Sequence, residues 1–168
     1  PGAFEGSPRS ETMPTAARLF ALFGFAVMAF FATEFYKPLL PEGTPVGKFT
    51  PVNMIVAGLM GWTVMGRLAG QGWILAVTSG LRTSAVILFY VLFIWSGVRM
   101  LANSVDLRYD GPVEALQQMM AIALNYARLG LTDPQVPIAV VVGGILAAFL
   151  AEWAARQGQQ GQQGRQRA

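Results

Sequence analysis

The chain is constrained above all by long apolar stretches from which charged residues are almost excluded. Asp, Glu, Lys and Arg make up 12% of the sequence, whereas a soluble domain contains about 25%. So few charges cannot cover a surface that faces water. A helix needs about 20 mostly apolar residues to cross a bilayer. The sequence therefore predicts an all-α integral membrane protein, a bundle of about four transmembrane helices surrounded by lipid.

The predicted boundaries follow the apolar runs and the Pro, Gly and charged residues between them. Residues 1–14 are expected to be a disordered extension, and residues 15–155 to form the transmembrane helical domain. Residues 156–168 contain a Gln/Gly tract, which is typical of a disordered tail. The predicted spans lie near residues 16–36, 51–69, 82–101 and 135–154, with an amphipathic interfacial helix over residues 112–129.

Two features of the predicted spans stay open. Thr50-Pro51 is typical of a capped helix start, but the apolar run that follows is short for a full crossing. Arg82 interrupts a longer apolar run, so residues 73–81 form either the first turns of the third span or a separate interfacial segment. Because an arginine at the centre of a span costs at least about 2.5 kcal/mol, we expect Arg82 to lie near a membrane interface.

The chain contains no cysteine and no histidine. This absence excludes disulfides, iron–sulfur clusters held by cysteine, histidine general bases and histidine haem ligation. The sequence also lacks the GxxxxGK[ST] phosphate loop and the GxSxG nucleophile motif. It therefore predicts no catalytic residue, no cofactor and no metal site, and we expect a protein that is not an enzyme. The basic residues are scattered, so we expect no nucleic-acid binding.

Four charged residues are the candidates for a functional role, because ionisable groups in or near a span are rare. Glu34 and Lys37 lie near the end of the first span and form either an ion-handling site or a simple i,i+3 ion pair. Arg82 and Arg99 lie towards the two ends of the predicted third span. Together with the charged residues of segment 106–110, they form either an anion site or interface anchors and loop salt bridges.

Small and aromatic residues suggest further contacts. Small residues at four-residue spacing favour close helix packing. These residues are Ala57, Gly58 and Gly61 on the second span, and Ala139, Gly143 and Ala147 on the last. An aromatic group on the third span either lines a pigment or quinone site or contacts lipid and neighbouring helices. Its members are Phe89, Tyr90, Phe93 and Trp95.

Several strings between Met13 and Trp153 are distinctive. They are MPTAARL from Met13, KPLLPEGT from Lys37, FTPVN from Phe49, GW at Gly61 with MG at Met65, and RYDGP from Arg108. In these strings the chain resembles the TrgA-type tellurium-resistance family of small alphaproteobacterial membrane proteins. The resemblance implies an inner-membrane protein linked to tellurite tolerance, without catalytic residues to carry over. Because tellurite detoxification usually suggests thiol chemistry and the chain has no cysteine, we expect an indirect role.

We expect the chain to be a structural or accessory subunit of a larger respiratory or photosynthetic membrane complex. Its partners would be the lipid bilayer and other membrane proteins. The alternative is a small ion or solute transporter or channel that acts in resistance and uses Glu34, Lys37 and Arg82. Of the 12 Lys and Arg residues, seven fall on the side of the termini and five on the other. This distribution favours both termini in the cytoplasm, and the resemblance implies that the membrane is the bacterial inner membrane.

Overall fold

The structure, a computed structural model, describes residues 14–105 except 43 and 45, and residues 111–166. All regular elements among these residues are helices, which confirms the predicted all-α class. The helices are α1 (Pro14–Tyr36), α2 (Phe49–Leu68), α3 (Trp73–Val105), α4 (Pro112–Thr132) and α5 (Gln135–Gln166). The predicted N-terminal extension lies outside the described residues, except for Pro14, where α1 begins.

Four of these helices are long and apolar enough to cross a bilayer. The candidate spans cover Thr15–Leu39, Phe49–Leu68, Trp73–Asn103 and Gln135–Gln160. The shortest of them has 20 residues, which at 1.5 Å per residue reaches about 30 Å, the thickness of the hydrocarbon core. The chain is therefore a multi-pass membrane protein, and α2 is long enough for a full crossing.

The start of α2 differs from the prediction. The helix begins at Phe49, and Lys48 rather than Thr50 occupies the N-cap position. The Thr50 hydroxyl instead donates a hydrogen bond to Glu34 Oε1 at 3.1 Å. Pro51 falls in the first turn, where its missing N–H breaks no helical bond. The side chain predicted to cap α2 thus joins α2 to α1.

Both ends of the described chain lie on the same side of the bundle. Near the start of α1, the Phe20 ring contacts Trp153 towards the end of α5, with ring centroids 6.1 Å apart. At the other end of α1, the Tyr36 hydroxyl donates a 3.0 Å hydrogen bond to the carbonyl oxygen of Tyr126 in α4. We call these the terminal side and the α4 side. Helix α1 packs mainly against α5 and α2, and α3 packs mainly against α5 and α4.

The helices meet where glycine or alanine leaves room for close approach. A Cβ added to Gly24 of α1 would lie 2.9 Å from the Cβ of Ala147 in α5. A Cβ added to Gly61 of α2 would lie 2.7 Å from the carbonyl oxygen of Ala21 in α1. In lipid, such close backbone contact is a main source of attraction between helices. Gly61 also opens a π-helical stretch, Gly61–Met65, inside α2.

Helix α3 is a single helix of 33 residues. Residues 73–81 are therefore its first turns, and the predicted start near residue 82 is wrong. At 1.5 Å per residue, Arg82 lies about 14 Å along the helix from Trp73. The apolar residues before Arg82 extend the helix because helix propagation needs no new nucleus, and one polar side chain does not interrupt the backbone hydrogen bonds.

Helix α5 also extends beyond its prediction. It continues as helix through Gln166, past the expected end near residue 154 and into the segment expected to be disordered. The span supplies the nucleus, so each added residue gains a hydrogen bond without a new nucleation cost. Gln and Arg are good helix formers, and they offset glycines that cost about 1 kcal/mol each relative to alanine.

Helix α4 carries three faces. One face packs on the bundle through Met119 and Gly130, which are buried. A polar face carries Glu114, Gln118 and Asn125, all exposed. The apolar stripe that defined the predicted amphipathic helix is also largely exposed, at Val113, Leu116, Met120 and Leu124. The stripe therefore faces lipid or a partner.

Two glycines of α3 test the importance of close helix contact. A Cβ at Gly80 would lie 2.7 Å from Ala148 Cβ and 2.8 Å from the Gly144 carbonyl oxygen. We predict that Gly80→Ala lowers the free energy of unfolding by about 1–3 kcal/mol, because a backbone must move. Gly97→Ala is the matched control, since its Cβ would lie 3.7 Å from Met119 Cε and alanine favours the helix by about 1 kcal/mol. The free energy of unfolding in detergent is measured for both variants. Equal changes in the two variants would contradict the close contact between Gly80 and α5.

Candidate functional site

Arg82 lies at the middle level of the bundle. Gly80, two residues before it, contacts Ala148 of α5, and the adjacent Ala147 contacts Gly24 of α1. Gly24 stands at the centre of α1, about 15 Å from the first residue of that helix at 1.5 Å per residue. Arg82 is therefore level with the centre of α1, rather than near an end of the bundle as the sequence led us to expect.

The Arg82 side chain is exposed on the outer surface of α3, which faces lipid in a membrane. No hydrogen bond or ion pair joins it to another residue in the described part of the chain. Thr78 and Ala85, one turn before and after, are also exposed. Small side chains therefore flank Arg82 on one side, and the exposed Leu75 and Phe89 lie two turns away along the same stripe.

Arg99 is exposed as well, and it lies too far from Arg82 to share a site. The two arginines are on one straight stretch of helix, about 25 Å apart at 1.5 Å per residue. Gly97 contacts the side chain of Met119, which places Arg99 at the level of α4. The other members of the predicted charge cluster, Asp106, Arg108 and Asp110, lie outside the described residues.

Glu34 and Lys37 form an ion pair at the α4 side of α1. The Lys37 Nζ lies 2.6 Å from Glu34 Oε1, and Thr50 Oγ1 donates to the same oxygen at 3.1 Å. Both side chains are partly exposed, 39% for Glu34 and 28% for Lys37. The arrangement ties the turn after α1 to the start of α2. The ion pair lies at the α4 side, at a different level of the bundle from Arg82.

A second carboxylate, Glu152, holds the loop between α2 and α3. Glu152 is 1% exposed, and it accepts the Gly70 N–H at 2.5 Å and the Gly72 N–H at 2.9 Å. Both glycines have positive φ, 93° and 118°, a conformation that glycine adopts readily. The carboxylate also accepts from Arg156 Nε at 3.1 Å, and the Arg156 guanidinium lies 4.9 Å from the centre of the Trp73 ring.

The sequence analysis missed this loop anchor. The i,i+4 spacing of Glu152 and Arg156 was an available signal for an ion pair. Nothing in the sequence connects Glu152 with two glycines in a loop about eighty residues away. These contacts stabilise the fold at the terminal side. They engage the Glu152 carboxylate, which is therefore not available to bind a ligand.

The predicted small-residue stripes lie at contacts with α1. Ala57, Gly58 and Gly61 are buried, and a Cβ added to Gly58 would lie 3.4 Å from Leu22 Cγ. On α5, a Cβ at Gly143 would lie 2.5 Å from Met28 Cγ, and Ala147 faces Gly24. Ala139 is half-buried. Both stripes therefore serve the same central helix.

A cavity of about 340 Å³ lies between α1, α3, α4 and α5, with the start of α2 completing its wall, in the half of the bundle towards α4. We call it the lateral cavity, and most of its wall is aliphatic. Representative residues are Met28, Ala32, Ile87, Val91, Ala127 and Val140. Of the predicted aromatic group, Trp95 lines this cavity, whereas Phe89, Tyr90 and Phe93 are exposed on the outer surface.

A short chain of hydrogen bonds forms the polar part of the cavity wall. Trp95 Nε1 donates to Asn53 Oδ1 at 2.8 Å, and Asn53 Nδ2 donates to Thr33 Oγ1 at 3.1 Å. The chain joins α3, α2 and α1 through Asn53, which is 4% exposed. The sequence carries no signal for it, because each of the three side chains comes from a different helix.

We predict that Glu152→Ala destabilises the fold locally and globally. Because Arg156 is 44% exposed, loss of the ion pair itself costs little. The main cost comes from the Gly70 and Gly72 N–H groups, which lose their acceptor, and it is about 1–3 kcal/mol. Hydrogen exchange should accelerate at the amides of Gly70 and Gly72. The free energy of unfolding in detergent should fall by the amount given above. Glu34→Ala is the control, because its ion pair is partly exposed and should contribute much less. Unchanged exchange at Gly70 and Gly72 would contradict the role of Glu152.

Comparison with known proteins yields no match. No family model, no curated protein and no solved structure matches this chain. The likeness to the tellurium-resistance family therefore stays a resemblance carried by short strings. Two features that the packing of the described residues does not explain are the exposed arginine at mid-level and the lateral cavity.

Proposed function

We propose that this chain is a non-enzymatic accessory subunit of a larger membrane complex, and that Arg82 contacts the partner. The observation that carries the proposal is an arginine without a described intramolecular partner, exposed on α3 at the middle level of the bundle. An isolated bundle gains nothing from such a residue, whereas a complex uses it to recognise one partner in one position.

The depth of Arg82 makes contact with lipid alone unfavourable. An arginine at the centre of a span costs at least about 2.5 kcal/mol. Arginine can reduce this cost by extending its methylene stem towards the headgroups. The stem contains only three methylenes, however, and about 14 Å of helix separates Arg82 from Trp73. A carboxylate on a partner helix satisfies the guanidinium more directly.

The partner is a different membrane protein, with an aspartate or glutamate inside a span. A carboxylate accepts two parallel hydrogen bonds from a guanidinium, which makes it the best-matched group. A second copy of this chain does not supply one from its described spans, because their carboxylates, Glu34 and Glu152, are already paired with Lys37 and Arg156. Two symmetric copies would instead bring two Arg82 side chains together.

The surface around Arg82 suits a helical partner. Thr78 and Ala85 are small, so a facing helix can approach α3 closely between the exposed Leu75 and Phe89. The exposed apolar stripe of α4, which includes Val113, Leu116 and Met120, offers a second contact at the α4 side. Arg82 is exposed on the outer surface, so it does not line an internal path together with the ion pair of Glu34 and Lys37.

We place the complex in the bacterial inner membrane, as the resemblance implies, with both termini in the cytoplasm. Without Arg82, which lies at mid-level, six Lys and Arg residues fall on the side of the termini and five on the other, which still favours that orientation. A respiratory or photosynthetic assembly would be a suitable host. If the resemblance to the TrgA-type family reflects a relationship, tellurite tolerance would follow indirectly, from the integrity of that complex. The absence of cysteine and histidine agrees with a supporting rather than a chemical role.

Purification from native membranes in mild detergent, followed by quantitative mass spectrometry, tests the proposal. We predict stoichiometric recovery of a different membrane protein with the wild-type chain. Arg82→Leu should lose most of this protein, because the partner carboxylate is left unpaired. Arg82→Lys should retain part of it, since the charge is kept. Arg99→Leu is the matched control on the same helix and should retain all of it.

Two results would reject the proposal. Recovery of the wild-type chain alone, or only with copies of itself, would exclude an accessory subunit. Full retention of the partner by Arg82→Leu would exclude Arg82 as the contact. The stability of the purified chain separates these results from misfolding, because Arg82→Leu removes no described intramolecular contact and should unfold no earlier than the wild type.

A further inference from the structure

The lateral cavity opens sideways through the outer surface of the bundle. Leu88 of α3, Leu131 of α4 and Val141 of α5 line the cavity and are also exposed on that surface. Its wall extends from Met28, near the middle of α1, to Tyr36 at the end of that helix. At 1.5 Å per residue this depth is about 12 Å. Both the opening and the depth lie within the level of the spans.

The fold itself creates this space. Helices α3 and α5 touch near Gly80 and Gly144, and further towards the α4 side the cavity separates them. Helix α4 forms the far wall, held by the hydrogen bond from the Tyr36 hydroxyl to the Tyr126 carbonyl oxygen. Gly130 allows this contact, because its Cα approaches the Tyr36 ring so closely that an added Cβ would lie 3.2 Å from it.

An apolar chain suits this cavity better than water. A buried water typically needs two to four polar partners. In the wall, Asn53 is paired with Thr33 and Trp95, and Tyr36 donates to a backbone oxygen. Ser84 Oγ also lies in the wall and has no partner among the described residues, but one hydroxyl is too few to hold a water. An empty apolar space would lose dispersion contacts along its whole lining. The volume of about 340 Å³ falls at the small end of the range of ligand sites, about 300–1,000 Å³.

We propose that the lateral cavity binds one acyl chain of a membrane phospholipid, which enters between α3, α4 and α5. The methyl end of the acyl chain lies towards Met28, and its glycerol end lies towards Tyr36 and Trp95. Aromatic side chains with one polar atom are favoured at this membrane level. The lipid fills the wedge between α3 and α5 and supports α4 from within. This binding does not depend on Arg82 or on a partner protein.

Quenching of Trp95 fluorescence by phospholipids with brominated acyl chains tests the proposal. The chain has four tryptophans, so a reporter that retains Trp95 carries phenylalanine at positions 62, 73 and 153. A second reporter retains Trp153, which is exposed on the outer surface and senses surrounding lipid. Ala127→Phe fills the cavity from its α4 wall. Ala121→Phe is the matched control, because Ala121 is exposed on the same helix.

We predict that Ala127→Phe reduces the quenching of Trp95 several-fold, whereas Ala121→Phe leaves it unchanged and neither alters the quenching of Trp153. Native mass spectrometry of the full chain in mild detergent should show one retained phospholipid, lost in Ala127→Phe. A retained quinone or free fatty acid would overturn the phospholipid assignment. Quenching of Trp95 that is absent, or insensitive to Ala127→Phe, would overturn the site. Circular dichroism confirms that each variant remains helical.

Discussion

Close backbone contact at glycine and alanine is the interaction on which the rest of this structure depends. Lipid offers no hydrophobic force that would drive apolar helices together, so attraction comes from packing. Gly24 meets Ala147 where α1 crosses α5, and Gly61 meets Ala21 where α2 crosses α1. These contacts set the relative heights of the helices. The depth of each side chain in the bundle therefore depends on these contacts.

Helix α3 departs from this common height, and that offset explains the distinctive features of the molecule. It contacts α5 at Gly80, close to its own start, and it is 33 residues long. It therefore extends beyond the other spans on the α4 side. The offset brings Arg82 to mid-level and places Trp95 against Asn53. It also leaves the wedge between α3 and α5 that α4 closes to form the lateral cavity.

The sequence predicted what depends on local pattern, and it failed where distant segments meet. The apolar runs were sufficient to predict four spans. The spacing of glycine and alanine predicted the faces through which α2 and α5 pack on α1. The predicted start of α3 was wrong because Arg82 was taken as a boundary of the span. The depth of Arg82 depends instead on where Gly80 meets α5. The Thr50 hydroxyl was assigned to a cap because Glu34, its acceptor, lies on another helix. The cavity and its hydrogen-bonded wall need three or more helices together, so no single segment could indicate them.

The depth of α3 in the bilayer is the most direct measurement. The chain has no cysteine, so a single cysteine at an exposed position, Leu81, Ala85 or Phe93, carries one nitroxide label for electron paramagnetic resonance in vesicles. Collision with oxygen, relative to collision with a water-soluble nickel complex, increases towards the bilayer centre. We predict the greatest depth at Leu81→Cys and Ala85→Cys and a headgroup level at Phe93→Cys. The greatest depth at Phe93→Cys, with Leu81→Cys at the headgroups, would place Arg82 at an interface and contradict the role proposed for it.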